Sequence, residues 1–196
     1  MMRVFMLGLV VAAATITACG PAYYDYSKEP DPRKGEFVLG VNDALRINVW
    51  KNPELSVDAR VRPDGTVTMP LVGDIKAAGR TPSSLKSEIA KRLQSFVRDE
   101  GAIVSIAVTE VNSYRFTVAG QVERAGLLTA KYYVTASEAI AMAGGLNRFA
   151  NPHKLTLVRN DRNGLRRIPI DYERIASGAH PEEDLVLLAG DTLFVE

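Results

Sequence analysis

Apolar positions along the chain fall into short alternating runs broken by glycine, proline and asparagine, with helical spacing in two places. Phe37 and Leu39 alternate up to Gly40, and Leu45, Ile47 and Val49 alternate afterwards. This predicts two strands around a turn at Gly40-Val41-Asn42-Asp43. Asn52-Pro53 breaks that pattern. In "VRPDGTVTMPLVGDIKAAGRTPSSL", Val61, Val67 and Met69 alternate across Pro63-Asp64-Gly65 and predict a hairpin. Proline presets φ there, the Asp64 carboxylate bonds back to the backbone, and Gly65 accepts positive φ. Leu71 to Ile75 turns again and Gly79 closes the segment.

The period then changes. Thr81 is placed as an N-cap with Pro82 at the first helical position, and Leu85, Ile89, Leu93, Phe96 and Val97 recur at helical spacing. Ile103 and Ser105 to Val108 predict a further strand. A second unit begins near Tyr114, where Phe116 and Val118 alternate into Gly120-Gln121-Val122, and Ala125-Gly126 turns before Leu127-Leu128. Thr135-Ala-Ser-Glu138 has the capping-box form, Ala139 to Ala143 makes a short helix, and Gly144-Gly145 suits a left-handed stop. Leu155 and Leu157 mark a strand, Asn160 to Gly164 a loop, and Ile168 and Ile170 a partner strand that Pro169 places at an edge. Leu185 to Leu188, Leu193 and Val195 finish in β-structure. The class is α+β: a β-rich unit with one packed helix over 36–112, then a second β-rich unit over 113–196. Leu39 to Leu45 also echoes Leu188 to Leu193, each putting an acidic turn residue before a strand, and two similar turns account for it.

The amino-terminal residues add an address. Arg3 precedes an apolar run from Val4 to Ala14, the form of a secretory signal peptide over 1–18. The run is shorter than the roughly 20 residues that span a bilayer. Cys19 is the only cysteine, so no internal disulfide is open to it. Either it is incidental to an ordinary cleavage site, or Ile16-Thr17-Ala18-Cys19-Gly20 is what it resembles, a bacterial lipobox whose thiol is acylated. Several acyl chains would give durable attachment where one would not. Residues 19–35, with Pro21, Pro30 and Pro32 among three tyrosines, read as a flexible tether, though the tyrosines could pack on a neighbouring subunit or near headgroups.

Composition narrows the function classes. Lys plus Arg (24) nearly balances Asp plus Glu (23), which argues against a nucleic-acid binder. His153 and His180 are the only histidines, each in a proline-containing loop, and read as surface residues; no cofactor or metal is expected. Glu182-Glu183-Asp184 could bind a cation or form a solvated acidic loop. Gly144-Gly145 follows a helix and does not open one, so it is no phosphate cradle. Arg159, Arg162, Arg166 and Arg167 cluster on one hairpin, either to contact anionic sugar groups or an acidic neighbouring subunit, or as a solvated face. No nucleophile stands with a base, so catalysis has no support.

In order and spacing, "LGVNDALRINVWKNPELS", "VRPDGTVTMPLVGDIKAAGRTPSSL" and "AIVSIAVTEVNSYRFTVAGQV" resemble the polysaccharide-export domain of the outer-membrane polysaccharide export lipoproteins (Wza type). "VAGQVERAGLLTAKYYVTASEAIAMAGGL", with "LTLVRNDRNGLRRIPIDYERI" and "LLAGDTLFVE", resembles the soluble-ligand-binding β-grasp (SLBB) domain. The usual Pro-Gly turn is Ala125-Gly126 here. The resemblance implies a periplasmic, outer-membrane-anchored homo-oligomeric ring that passes polysaccharide and meets an inner-membrane polysaccharide co-polymerase, often of the tyrosine-kinase type. Long members add further β-grasp repeats and a pore-forming amphipathic helix. Because Glu196 follows a single unit, the expectation is a ring beneath a separate outer-membrane β-barrel. The competing expectation is a lipid-anchored glycan-binding or scaffold protein that transports nothing.

Overall fold

A computed structural model describes residues 24–96, 103–161 and 164–196. The first unit is built on β1 (Ala44–Val49), whose alternation puts Leu45, Ile47 and Val49 on the buried face. It lies between β2 (Val57–Arg60) and β5 (Val104–Glu110), antiparallel to both. A separate two-stranded ribbon, β3 (Thr66–Met69) with β4 (Gly73–Lys76), adds Val67, Met69 and Ile75 to the same core. Helix α1 (Pro82–Leu93) begins with the Thr81 hydroxyl accepting from the Ser84 amide, with Pro82 at its first position. Leu85, Ile89 and Leu93 are fully buried, each contributing about 1.5–3 kcal/mol. Phe96, expected on the same stripe, is 53% exposed, and Val97 lies outside the described residues.

Two strand expectations are corrected here. Phe37 to Leu39 forms no strand: Leu39 trades single backbone bonds with Arg80 and Gly79, which buries it without a ladder. The turn at Pro63-Asp64-Gly65 closes locally, with the Arg62 amide bonded to Thr66 O, but it joins no hairpin. Val61 bonds instead to Asn42 and Asp43 beside β1, so the chain crosses there from one sheet to the other. The hairpin forms one turn later, around Pro70-Leu71-Val72, with Leu71 at φ +63°.

The second unit has five strands in the order β7-β6-β10-β8-β9: β6 (Arg115–Gly120), β7 (Gly126–Thr129), β8 (Leu155–Asp161), β9 (Gly164–Ile170) and β10 (Thr192–Val195). The last strand slots into the middle, parallel to β6 and antiparallel to β8, as in a β-grasp. Helix α2 (Ala136–Met142) packs Ala136, Ala139 and Ile140 on this sheet, and its capping box is complete. Its carboxyl end stops at Gly144 and Gly145, with φ +87° and +94°. Pro169 lies in β9, an edge strand where its missing N–H disturbs no inner ladder.

Leu185 to Leu188 makes only one isolated bridge, Val186 to Thr135, rather than a strand. A short helix unforeseen from the pattern, α3 (Tyr172–Ala176), is capped by the Asp171 carboxylate accepting from the Arg174 amide. The expected flexible tether is also corrected over residues 24–34. They make two 3-10 turns, Tyr26–Lys28 and Pro32–Lys34, and lie against the second unit with Tyr26 in its core. Apolar periodicity is weak there because the segment is held mainly by polar contacts.

Candidate functional site

Among the described residues, no group of three or more His, Cys, Asp and Glu side chains is placed to hold a metal ion. His153 Nδ1 stands 3.0 Å from Asp171 Oδ2 and His180 Nδ1 2.8 Å from Glu182 Oε1, both pairs at the surface. The Glu182–Asp184 segment is not a solvated acidic loop. Glu183 is buried, accepting from the Asp171 amide and facing the Arg174 guanidinium at 3.0 Å, while Asp184 accepts from the Ser137 amide and hydroxyl at the start of α2.

The arginine cluster does not form one surface. Register pairs Arg159 with Arg166 on the core side of β8–β9 and sets Arg167 opposite Val158 on the other side. Arg159 is 1% exposed, so neither a sugar nor a neighbouring subunit reaches it. Its Nη2 donates to Asp191 Oδ2 at 2.6 Å and to Val186 O at 2.9 Å, and its Nη1 donates to Glu29 Oε2 at 2.9 Å. Arg166 donates to the other Glu29 oxygen at 2.6 Å and to Asp161 at 2.8 Å. Burial raises the Glu29 carboxyl, but hydrogen bonds from Arg166 and Tyr24 outweigh it and hold the group below the usual range. The same burial, with Glu29 beside it, pushes the Tyr24 hydroxyl up to about 12. Arg167 is exposed, and Arg162 and Cys19 lie outside the described residues.

A second buried carboxylate ties the two units together. Asp43 accepts from the Asn112 and Ser113 amides (both 2.8 Å), the Ser113 hydroxyl (2.8 Å) and the Gly40 amide (2.8 Å). Gly40 is required by this approach: a Cβ there would come within 2.3 Å of Ser113 Cβ. Asp191 repeats the local arrangement, accepting from the Leu188 amide three residues back. Left-handed residues, Asn42 and Gly190, precede the two aspartates. The echo between Leu39–Leu45 and Leu188–Leu193 is thus one turn used twice. The sequence marks Asp43 and Asp191 only as the turn residues of that echo, and it gives no signal for Glu29.

Aromatic rings cross the same seam. Phe37 lies 6.0 Å from Tyr133, which meets Tyr114 edge-on at 5.2 Å. Tyr114 donates to Leu187 O and accepts from the Val134 amide, and burial raises its pKa. An open cleft of about 520 Å³ is lined by Arg33, Phe37, Val108, Lys131, Tyr132 and Tyr133. A neighbouring one of about 400 Å³ shares Phe37 and Tyr133. These walls can stack against a ring and offer hydroxyl and ammonium donors. Asp64 and Gly65 sit in the turn between β2 and β3, where Asp64 accepts from the Thr66 amide and hydroxyl and Gly65 has φ +78°. Neither that turn nor the stop at Gly144-Gly145 lines either cleft.

Comparison with known families assigns each unit. The family described as "Polysaccharide biosynthesis/export protein" matches residues 31–109, and the SLBB domain matches residues 115–171. The chain belongs to the polysaccharide-export family with an SLBB domain. Within that family, it is 33% identical over 132 residues to the exopolysaccharide production protein ExoF of Rhizobium meliloti, covering 61% of this chain and 30% of that relative. It is 26% identical over 174 residues to the capsule polysaccharide export protein BexD of Haemophilus influenzae, covering 79% and 42%. To the capsule polysaccharide export outer membrane protein CtrA of Neisseria meningitidis serogroup A it is 28% identical over 178 residues, covering 79% and 43%. The chain thus spans less than half the length of these export-family relatives.

Proposed function

We propose that this chain is a non-enzymatic subunit of an oligomeric conduit that exports capsular or extracellular polysaccharide. It acts from the periplasmic face of the outer membrane, held there by acyl chains on Cys19. The observation that carries the reading is the succession of an export domain and an SLBB domain on one body, together with the similarity to relatives named for polysaccharide production and export. Such a conduit needs subunits whose parts keep their relative placement. The Asp43 bonds and the aromatic contacts across the seam support that requirement.

Copies associate head to tail, and the rotation between them closes into a ring. The polymer passes by weak, repeated polar contacts. The assembly meets an inner-membrane polysaccharide co-polymerase, and a separate outer-membrane β-barrel completes the path. Deleting the gene tests this. The expected result is surface polymer lost while precursors accumulate inside the cell. Normal export with altered regulation would favour the scaffold reading, and turnover of oligosaccharide by the purified protein would favour an enzyme.

A further inference from the structure

Residues 24–34 form a strap whose two ends are fixed by different contacts. At one end the Glu29 carboxylate, 2% exposed, sits between Arg159 and Arg166 near the turn end of the β8–β9 hairpin. The Tyr24 hydroxyl donates to Glu29 and lies 3.3 Å from Arg166 Nη1, and the Tyr26 hydroxyl donates to Pro169 O at 2.8 Å. Just past the other end, Glu36 accepts from the Ser83 amide at the start of α1. Strap and hairpin are 137 residues apart in sequence at the Glu29–Arg166 contact, so this is a tertiary lock and not a local turn.

The lock limits the reach of anything attached upstream. Tyr24 lies five residue steps along the chain from Cys19, which span at most about 17 Å when fully extended. If the strap were free as far as Glu36, the same attachment would allow about 58 Å. The hairpin end beside the lock exposes Leu165 (63%) and, one strand position beyond Arg166, Arg167. A leucine that can enter the acyl boundary beside a guanidinium that can pair with phosphate is the chemistry of a headgroup contact.

We infer that the strap, locked by Glu29, holds the β8–β9 end of the SLBB unit against the bilayer, with phospholipid headgroups as the partner of Leu165 and Arg167. This rests on the reading of Cys19 as the acylated anchor. The polysaccharide-export unit, with its exposed Trp50, stands off the membrane.

Trp50 is the only tryptophan, so the chain carries its own control. The mature protein is purified from membranes and reconstituted in vesicles of phosphatidylethanolamine and phosphatidylglycerol with brominated acyl chains. Tryptophan emission is then compared between wild type and the L165W/W50F variant. The expected result is at least twofold stronger quenching in L165W/W50F than at Trp50. Glu29→Gln in either background brings the two signals to within a factor of about 1.2 and speeds tryptic cleavage after Lys28 severalfold. Equal quenching at the two positions, stronger quenching at Trp50, or none at position 165 overturns the inference. If circular dichroism shows that Glu29→Gln does not fold, the comparison between wild type and L165W/W50F decides alone. The mass of the amino-terminal peptide separates the two levels: an acylated Cys19 without quenching removes this inference only, whereas an unacylated Cys19 removes the anchor reading and this inference with it.

Discussion

Arg159 shows how one side chain holds distant segments together. It bonds to Asp191 before the central strand β10, to Val186 O in the preceding loop and to Glu29 in the strap. Removing one partner of such a buried set leaves charges without compensation, which typically destabilises by about 3–5 kcal/mol. Arg159→Ala should therefore lower the urea midpoint by that equivalent, whereas Arg167→Ala, on an exposed side, should leave it within about 0.5 kcal/mol. Gly40 is the second sensitive residue. Gly40→Ala forces its new methyl against Ser113, an overpacking of about 1–3 kcal/mol, and Gly40→Ala/Ser113→Gly should recover part of the lost melting temperature. In sequence the four arginines look alike because charge alone does not say which side of a strand a residue occupies. Leu155, Leu157 and Arg159 do share the two-residue period of the buried face, but the Glu29 and Asp191 carboxylates that make burial of a guanidinium tolerable lie 130 and 32 residues away.

At the scale of elements, the segments with strong local signals are the ones that formed where the pattern put them. Helix α2 has its complete capping box, and Thr135→Ala should cost about 1 kcal/mol, read from thermal unfolding. The strap is the opposite case, since its stability comes from Glu29 and not from an apolar period. Because Glu29 is held below the ordinary carboxyl pKa of about 4.3, the stabilisation it supplies is fully present above that value and is lost as pH falls through the lower folded-state value. Resistance of the strap to an acid-active protease should thus persist at pH 5 and be lost only as pH falls below about 4.3, and Glu29→Gln should remove the pH step. The Pro63-Asp64-Gly65 turn was legible as a turn but not as a crossing. Its local bonds are those of a hairpin, while the pairing of Val61 with Asn42 and Asp43 is a long-range choice that no short window contains.

For the whole molecule, the succession of a β-rich unit with one packed helix and a β-grasp was readable from local apolar periods, caps and turns. The joint was not readable. Asp43 looks like any turn aspartate until the backbone of Asn112 and Ser113 is folded onto it, and Phe37 like a strand residue until Tyr133 lies beside it. That joint makes the two units one piece, and the strap runs from the second unit toward α1 of the first. The functional account asks this single body, fixed to the outer membrane at Cys19, to pass polymer to the cell surface. The most direct measurement is the surface fraction of polysaccharide in a deletion strain complemented with wild type or with Cys19→Ser at equal periplasmic levels. Wild type should restore it and Cys19→Ser should not; an undiminished surface fraction without the protein, or full restoration by Cys19→Ser, would contradict the account.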